Sequence, residues 1–326
     1  MRHWIAKSLF LVSLFGFNRC GLTVVQASEH FSAGVQFLQD VYEKNRASVV
    51  LVRYQTKEKE PQLATGFFVS PQGHLLTTAS EGEDYCIEID KRIYAVTKLG
   101  SDVIANVALL KLDCAAEQIA YLNIPDACKY PDVGEGVVSL SYKLALNVSP
   151  QLGYVTGLND RYLGIEWPTT LMRSTLGVDG GDCGGPVFDM SGHLAGMLLY
   201  ALSETKETYF MPAYALNKIY HDLLLFGRVR YGYVGMTVEV VLDKEQQQLY
   251  LQVVAVQDNS PAQKAGIRVG DVLLEFDAMP VNSRDTFKNF VFFAQPKQKL
   301  RIKILRHKKG MLITVVVEEK DRSCGA

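Results

Sequence analysis

The stretch GVDGGDCGGPVFD, Gly177–Asp189, packs five glycines around Cys183 before closing on the strand-like run Pro186–Phe188. Glycine at this density marks a turn whose backbone takes conformations closed to other residues. Cys183 at its centre admits two readings. It is a small residue buried in a turn between strands, or it is a thiol held out for reaction, since roughly a few per cent of a free thiol is ionised at neutral pH.

Outward from this turn the chain is written in short β-rich runs. ASVVLVRYQ, GFFVS, GHLLTTA, RIYAVTKLG, VALLKLD, GVVSLSY, GYVTGL and GHLAGMLLYAL alternate with turn residues. Their spacing of about eight to twelve positions is that of an all-β barrel or sandwich. Before them, FSAGVQFLQDVYEKN (Phe31–Asn45) has apolar residues at helical intervals. After them, YALNKIYHDLLLFG repeats Leu216, Ile219, Tyr220, Leu223 and Leu224 at helical intervals, and Gly227 supplies a stop. The remainder mixes strands with two short helices, the pattern of a small α+β module. In the first, Ser260 is an N-cap, Pro261 suits the first helical position and Gly266 ends the turn. In the second, SRDTFKNFVFFAQP, residues Phe287, Phe290, Val291 and Ala294 share one face and Pro296 follows its end.

A chain of 326 residues suggests two domains, because single cores stop growing before this length. A net charge of −1 with charged residues spread along the chain argues against a nucleic-acid partner. At the amino terminus, Arg2 and Lys7 precede an apolar run, and VVQAS at Val24–Ser28 offers small residues for cleavage. This layout predicts a secretory signal over 1–27 and an exported, periplasmic protein with no other membrane segment. An uncleaved anchor is the alternative, although the run is short for a span of about 20 residues. Loss of the signal removes Cys20 and leaves Cys86, Cys114, Cys128, Cys183 and Cys324, an odd number. At least one thiol then stays free or pairs with another molecule. If Cys183 is that thiol, a Cys114–Cys128 bridge would close the shortest loop; five reduced cysteines are the other reading.

Four stretches, in order and at conserving intervals between about Ala47 and Val317, resemble the HtrA/Deg-type proteins: GFFVSPQGHLLTTAS, GSDVIANVALLKL, LMRSTLGVDGGDCGGPVF, and FGRVRYGYVGM with NSPAQKAGIRVGDVLLEFDAMPV. The resemblance implies a mainly β chain. A helical segment (28–46) precedes a chymotrypsin/trypsin-like double β-barrel (47–227), a small α+β PDZ domain (228–320) and a tail (321–326). On the family's pattern Ser80 stands at the catalytic histidine position, Asn106 at the aspartate position and Cys183 at the serine position. All three are changed. The backbone N–H groups of Gly181 and Asp182 fall where the oxyanion hole is built. His74 and His193 match strand positions without catalytic roles, and His221 and His307 lie in the terminal helix and the PDZ domain.

A thiol can attack a carbonyl, but peptide cleavage also needs a proton delivered to the departing amine, the histidine's task in a triad. Ser80 and Asn106 supply none at neutral pH, and an ionised Asp182 beside Cys183 would disfavour the thiolate. The expected function is therefore non-catalytic, with an active endopeptidase using Cys183 and an unrecognised base as the alternative. The PDZ domain needs no triad. The resemblance assigns its carboxylate-binding loop to Tyr233, Val234, Gly235 and Met236, with Phe287, Phe290 and Val291 on the facing helix. Protein carboxyl termini or unfolded segments are the partners it implies. A trimer of this chain, or a mixed oligomer with an active paralogue, is a further expectation, and no metal or cofactor is implied.

Overall fold

In VALLKL, Val107–Leu112, residues Ala108, Leu110 and Leu112 face one core while Val107 and Leu109 are fully buried outside it. A strand buried on both faces reads as a continuous apolar run, because alternation no longer divides core from solvent. The structure, a computed structural model, describes residues 36–79, 81–114, 118–126, 130–162, 165–202, 207–243 and 248–320. The signal segment, Ser80, Cys128 and Cys324 lie outside them. The chain divides into Met1–Asp40 and Val41–Ala326, and every element described below belongs to the second unit.

Strands β1 (Val49–Gln55), β2 (Pro61–Phe68), β3 (His74–Thr77), β4 (Glu83–Ile89), β5 (Arg92–Asp102) and β6 (Val107–Leu112) close a barrel in the order β1-β2-β3-β6-β5-β4. Val50, Val52, Phe68, Leu75, Ile87 and Leu110 fill it, each apolar side chain stabilising the fold by about 1.5–3 kcal/mol relative to exposure. A second closed barrel repeats this order with β7 (Gly136–Ser141), β8 (Ser149–Tyr162), β9 (Ile165–Ser174), β10 (Pro186–Asp189), β11 (Leu194–Leu202) and β12 (Glu207–Pro212). Closure leaves neither barrel with an unpaired edge.

Helix α1 (Ala213–Phe226) buries Leu216, Ile219 and Leu223, while Leu224 stays exposed. Gly227 ends it in the left-handed conformation, its N–H donating to the Leu223 carbonyl. The chain then enters the PDZ domain through β13 (Gly232–Tyr233), β14 (Met236–Asp243), β15 (Gln248–Val256), α2 (Pro261–Lys264), β16 (Val272–Phe276), β17 (Met279–Pro280), α3 (Arg284–Phe293), β18 (Lys299–Arg306), β19 (Lys309–Val316) and β20 (Glu318–Glu319). Ser260 and Ser283 cap α2 and α3 by accepting from the N–H groups of Gln263 and Thr286. The sheet runs β14-β15-β16-β18-β19, so β14 is an edge.

Three polar contacts seat this domain on the barrels. Asn289 of α3 accepts at Oδ1 from the Thr169 hydroxyl (2.7 Å) and the Thr170 N–H (3.1 Å). The Tyr231 phenol donates to Asp102. Lys218 and Asp222 form a buried ion pair in α1 (2.5 Å), and each also bonds the backbone of Arg230, at its carbonyl and its N–H respectively. A buried pair with its remaining bonds satisfied specifies geometry more than it adds stability.

Candidate functional site

Among the described residues of the second unit, two concave sites bear the positions singled out in the sequence. The first is a cleft of about 830 Å³ between the barrels, lined by Cys183, Asn106, Ala79, Glu81, Tyr54 and Gly181 among others. Ala79 and Glu81 flank position 80, so the segments next to Ser80, Asn106 and Cys183 in the chain meet here, although Ser80 itself is outside the described residues.

Thr65 of β2 holds the Cys183 loop from the opposite barrel. Its N–H donates to the Cys183 carbonyl (2.8 Å) and its hydroxyl donates to the Gly181 carbonyl (2.7 Å) while accepting from the Tyr142 N–H (2.9 Å). Gly184 passes so close to this residue that an added Cβ would stand 2.0 Å from the Thr65 carbonyl oxygen, and its φ of +89° is one that favours glycine. The buried Asp182 carboxylate accepts from the Ser141 hydroxyl (2.7 Å) and the Asp179 N–H (2.8 Å). The Asp182 N–H donates to the Asp179 carbonyl (3.1 Å), which commits that donor to the turn. Asn106 sits at φ +51°, a region Asn tolerates, with its N–H donating to the Val103 carbonyl (3.2 Å).

Electrostatics at the sulfur run against ionisation. Burial, and after it the charge of Asp182, push the Cys183 thiol up to about 11. The neighbouring Tyr54 phenol is also raised, by burial first and by Cys183 second. Among the described residues no histidine lines the cleft. His74 pairs through Nδ1 with the Tyr220 hydroxyl (3.0 Å), and burial followed by the Lys111 charge lowers its pKa. His193 is exposed and lies 3.7 Å from Asp189. Cys86, Cys114 and Cys183 are free thiols; Cys128, the partner expected for Cys114, lies outside the described residues.

The second site is a groove of about 380 Å³ beside β14. Tyr233, Val234, Gly235 and Met236 line it, as do Phe287 and Val291 of α3. Phe290 does not: it stacks on Phe276 at 5.5 Å and turns into the PDZ core, where Phe287 meets the same ring edge-on at 5.7 Å. The helix face toward the groove is instead Arg284, Phe287, Lys288 and Val291. That spacing of i, i+3, i+4 and i+7 was readable in the sequence, but the aromatic run Phe290–Phe293 obscured it. Gly235 takes φ +73°, and a Cβ there would stand 2.2 Å from that of Ser260. Unforeseen in the sequence, Ile104, Trp167 and Pro168 of the barrels line the same groove.

Comparison with known proteins agrees with this architecture. Residues 64–197 match the family model of the trypsin-like peptidase domain, and residues 232–317 that of the PDZ domain. A probable periplasmic serine endoprotease, DegP-like, of Chlamydia pneumoniae is 24% identical over 288 residues, 84% of this chain and 58% of its own. A protein of the same description from Halomonas elongata is 24% identical over 277 residues, 80% of this chain and 57% of its own. The chain thus spans under three fifths of the length of these relatives. Among solved structures, the HtrA-type protease AlgW with tripeptide matches with a TM-score of 0.74 at 18% identity, over 87% of this chain and 97% of that one. A serine endoprotease from Yersinia pestis matches at 0.63 and 22%, over 87% and 98%. At such identities the structural likeness carries the fold.

Proposed function

From an HtrA/DegP-type frame, a trypsin-like double barrel followed by one PDZ domain, we propose that this chain is an exported, periplasmic protein that holds polypeptides without cutting them. The curated relatives are named periplasmic, in keeping with the signal expected at the amino terminus. The observation that carries the reading is the state of Cys183. Its thiol is raised to about 11 by burial and by Asp182, in a cleft that no described histidine lines.

Two requirements of peptide hydrolysis weigh toward this reading. The nucleophile must be ionised, and with a pKa near 11 only about one thiol in ten thousand is a thiolate at pH 7. The departing amine must also gain a proton, the histidine's task in a triad, and no described histidine lines the cleft to give one; an adduct left unprotonated expels the sulfur, the better leaving group. Loss of a triad's base or nucleophile lowers turnover by roughly 10⁴ to 10⁶.

The PDZ groove has what binding needs. Strand β14 is an open sheet edge able to accept an added strand, and Gly235 lets the backbone of its loop approach a terminal carboxylate. Incubation of the purified protein with unfolded casein tests the proposal. No fragments are expected; fragments that appear with this chain and vanish with Cys183→Ala would establish the endopeptidase reading instead.

A further inference from the structure

We infer that the site takes a longer segment than the groove alone encloses: an extended chain end whose fourth and sixth side chains before the last are apolar and pack on an exposed strip of Val240, Leu242 and Leu249. This rests on the peptide-binding reading above and adds the chemistry of the partner.

The strip continues the groove along the same strand. Helix α3 walls the groove from its end beside the carboxylate loop, where a Cβ at Gly232 would stand 2.4 Å from the Val291 carbonyl oxygen. The wall reaches as far as Glu239 of β14, whose Oε1 accepts from Arg284 in the first turn of the helix (2.9 Å). Past that level β14 runs on to Asp243, still paired with β15. It pairs with no other described strand, so its outer edge stays open to an added strand from Met236 to the end of the hairpin arm.

Alternation decides what an added strand meets there. Met236 and Val238 belong to the PDZ core, so Val240 and Leu242 share their face of the sheet. On that face Val240 stands opposite Leu251 and Leu242 opposite Leu249. Leu251 is buried, but Val240, Leu242 and Leu249 are 44%, 47% and 63% exposed. Apolar side chains grouped on the open edge of a sheet mark a surface that receives another chain. A peptide antiparallel to β14, with its last residue opposite Met236, sets its second, fourth and sixth preceding side chains beside Val238, Val240 and Leu242. Its odd-numbered side chains fall on the other face, beside Thr237, Glu239 and Val241. Once the loop holds the terminal carboxylate, the fourth and sixth residues reach the strip without a separate encounter, so modest contacts there add to affinity.

Three fluorescein-labelled octapeptides ending in Ala-Ala-Val, otherwise of serine, test this by anisotropy with the intact protein. One carries valine at the fourth and sixth places before its last residue, one at the third and fifth, and one at neither. The first is expected to bind about tenfold tighter than the all-serine form and tighter than the shifted form. Leu242→Ser, which changes a side chain outside the core, is expected to remove that advantage and to leave the affinity of the all-serine peptide as it was; Val240→Ser is a second such variant. Equal affinity of the first peptide and either of the others, or an advantage that survives both substitutions, would overturn the inference and leave peptide binding standing. A dimer of the free protein in sedimentation that Leu242→Ser dissociates would give the strip to a second copy and overturn it as well. If none of the three peptides binds, the peptide-groove reading falls, and this inference with it.

Discussion

The Tyr231 phenol donates a 2.6 Å hydrogen bond to Oδ1 of Asp102, joining the segment that leads into the PDZ domain to the end of β5. The same oxygen accepts from the Ala105 N–H (2.8 Å) and so shapes the turn from Asp102 to Asn106. Within this turn Ile104 lines the groove beside β14 and Asn106 the Cys183 cleft. One carboxylate therefore organises backbone that borders both sites.

Replacing Tyr231 with Phe removes this bond and leaves a buried carboxylate short of a donor. The expected cost is about 1–3 kcal/mol, read as a lower urea midpoint at unchanged slope. A midpoint equal to that of the parent protein would show that the bond contributes nothing.

Thr65→Val keeps the side-chain volume but takes the hydroxyl from between Gly181 and Tyr142. Two backbone groups then lack a partner, for an expected loss of about 2–4 kcal/mol. Because the Cys183 loop loses one of its two ties to the first barrel, Cys183 is also expected to react faster with a thiol reagent, measured by peptide mapping. Unchanged labelling would mean that the remaining Thr65 N–H bond positions the loop by itself.

Cys183 alkylation is expected to be slow at neutral pH and to climb about tenfold per pH unit until the medium nears the thiol pKa of about 11. The raised pKa also fixes a sign for stability. Between about 9, the ordinary thiol value, and about 11 the unfolded chain releases a proton that the folded chain keeps, so stability from this group is full below that window and is lost through it. A labelling rate at pH 7 above that of a free model thiol would contradict the burial argument.

Gly235→Ala forces a side chain to φ +73° and against Ser260. Peptide affinity is expected to fall by more than about tenfold, through strain of about 1–2 kcal/mol and displacement of the carboxylate loop. Retention of full affinity would show that the loop does not take part.

Local rules made much of this chain legible in advance. Turn glycines, the cap at Ser260, the short β-rich runs of the barrels and the stop at Gly227 all act within a few residues, where sequence and conformation are directly coupled. The order of the motifs was enough to anticipate a mainly β chain with a trypsin-like body and a PDZ domain. Phe290 was misplaced because helical spacing gives a face without saying which neighbour covers it, and Phe276 lies 14 positions away in the chain.

Sequence alone thus determined the residues standing at each special position: cysteine in the glycine turn, asparagine before β6, glycine in the PDZ loop. Tertiary structure decided what those residues experience. Thr65 grips a loop more than 110 positions later, Asn289 docks on Thr169 from 120 positions away, and barrel side chains complete a groove begun in the PDZ sheet. The physical reason is that burial, charge proximity and the walls of a cavity depend on which distant segments meet, and packing, rather than local backbone preference, makes that choice.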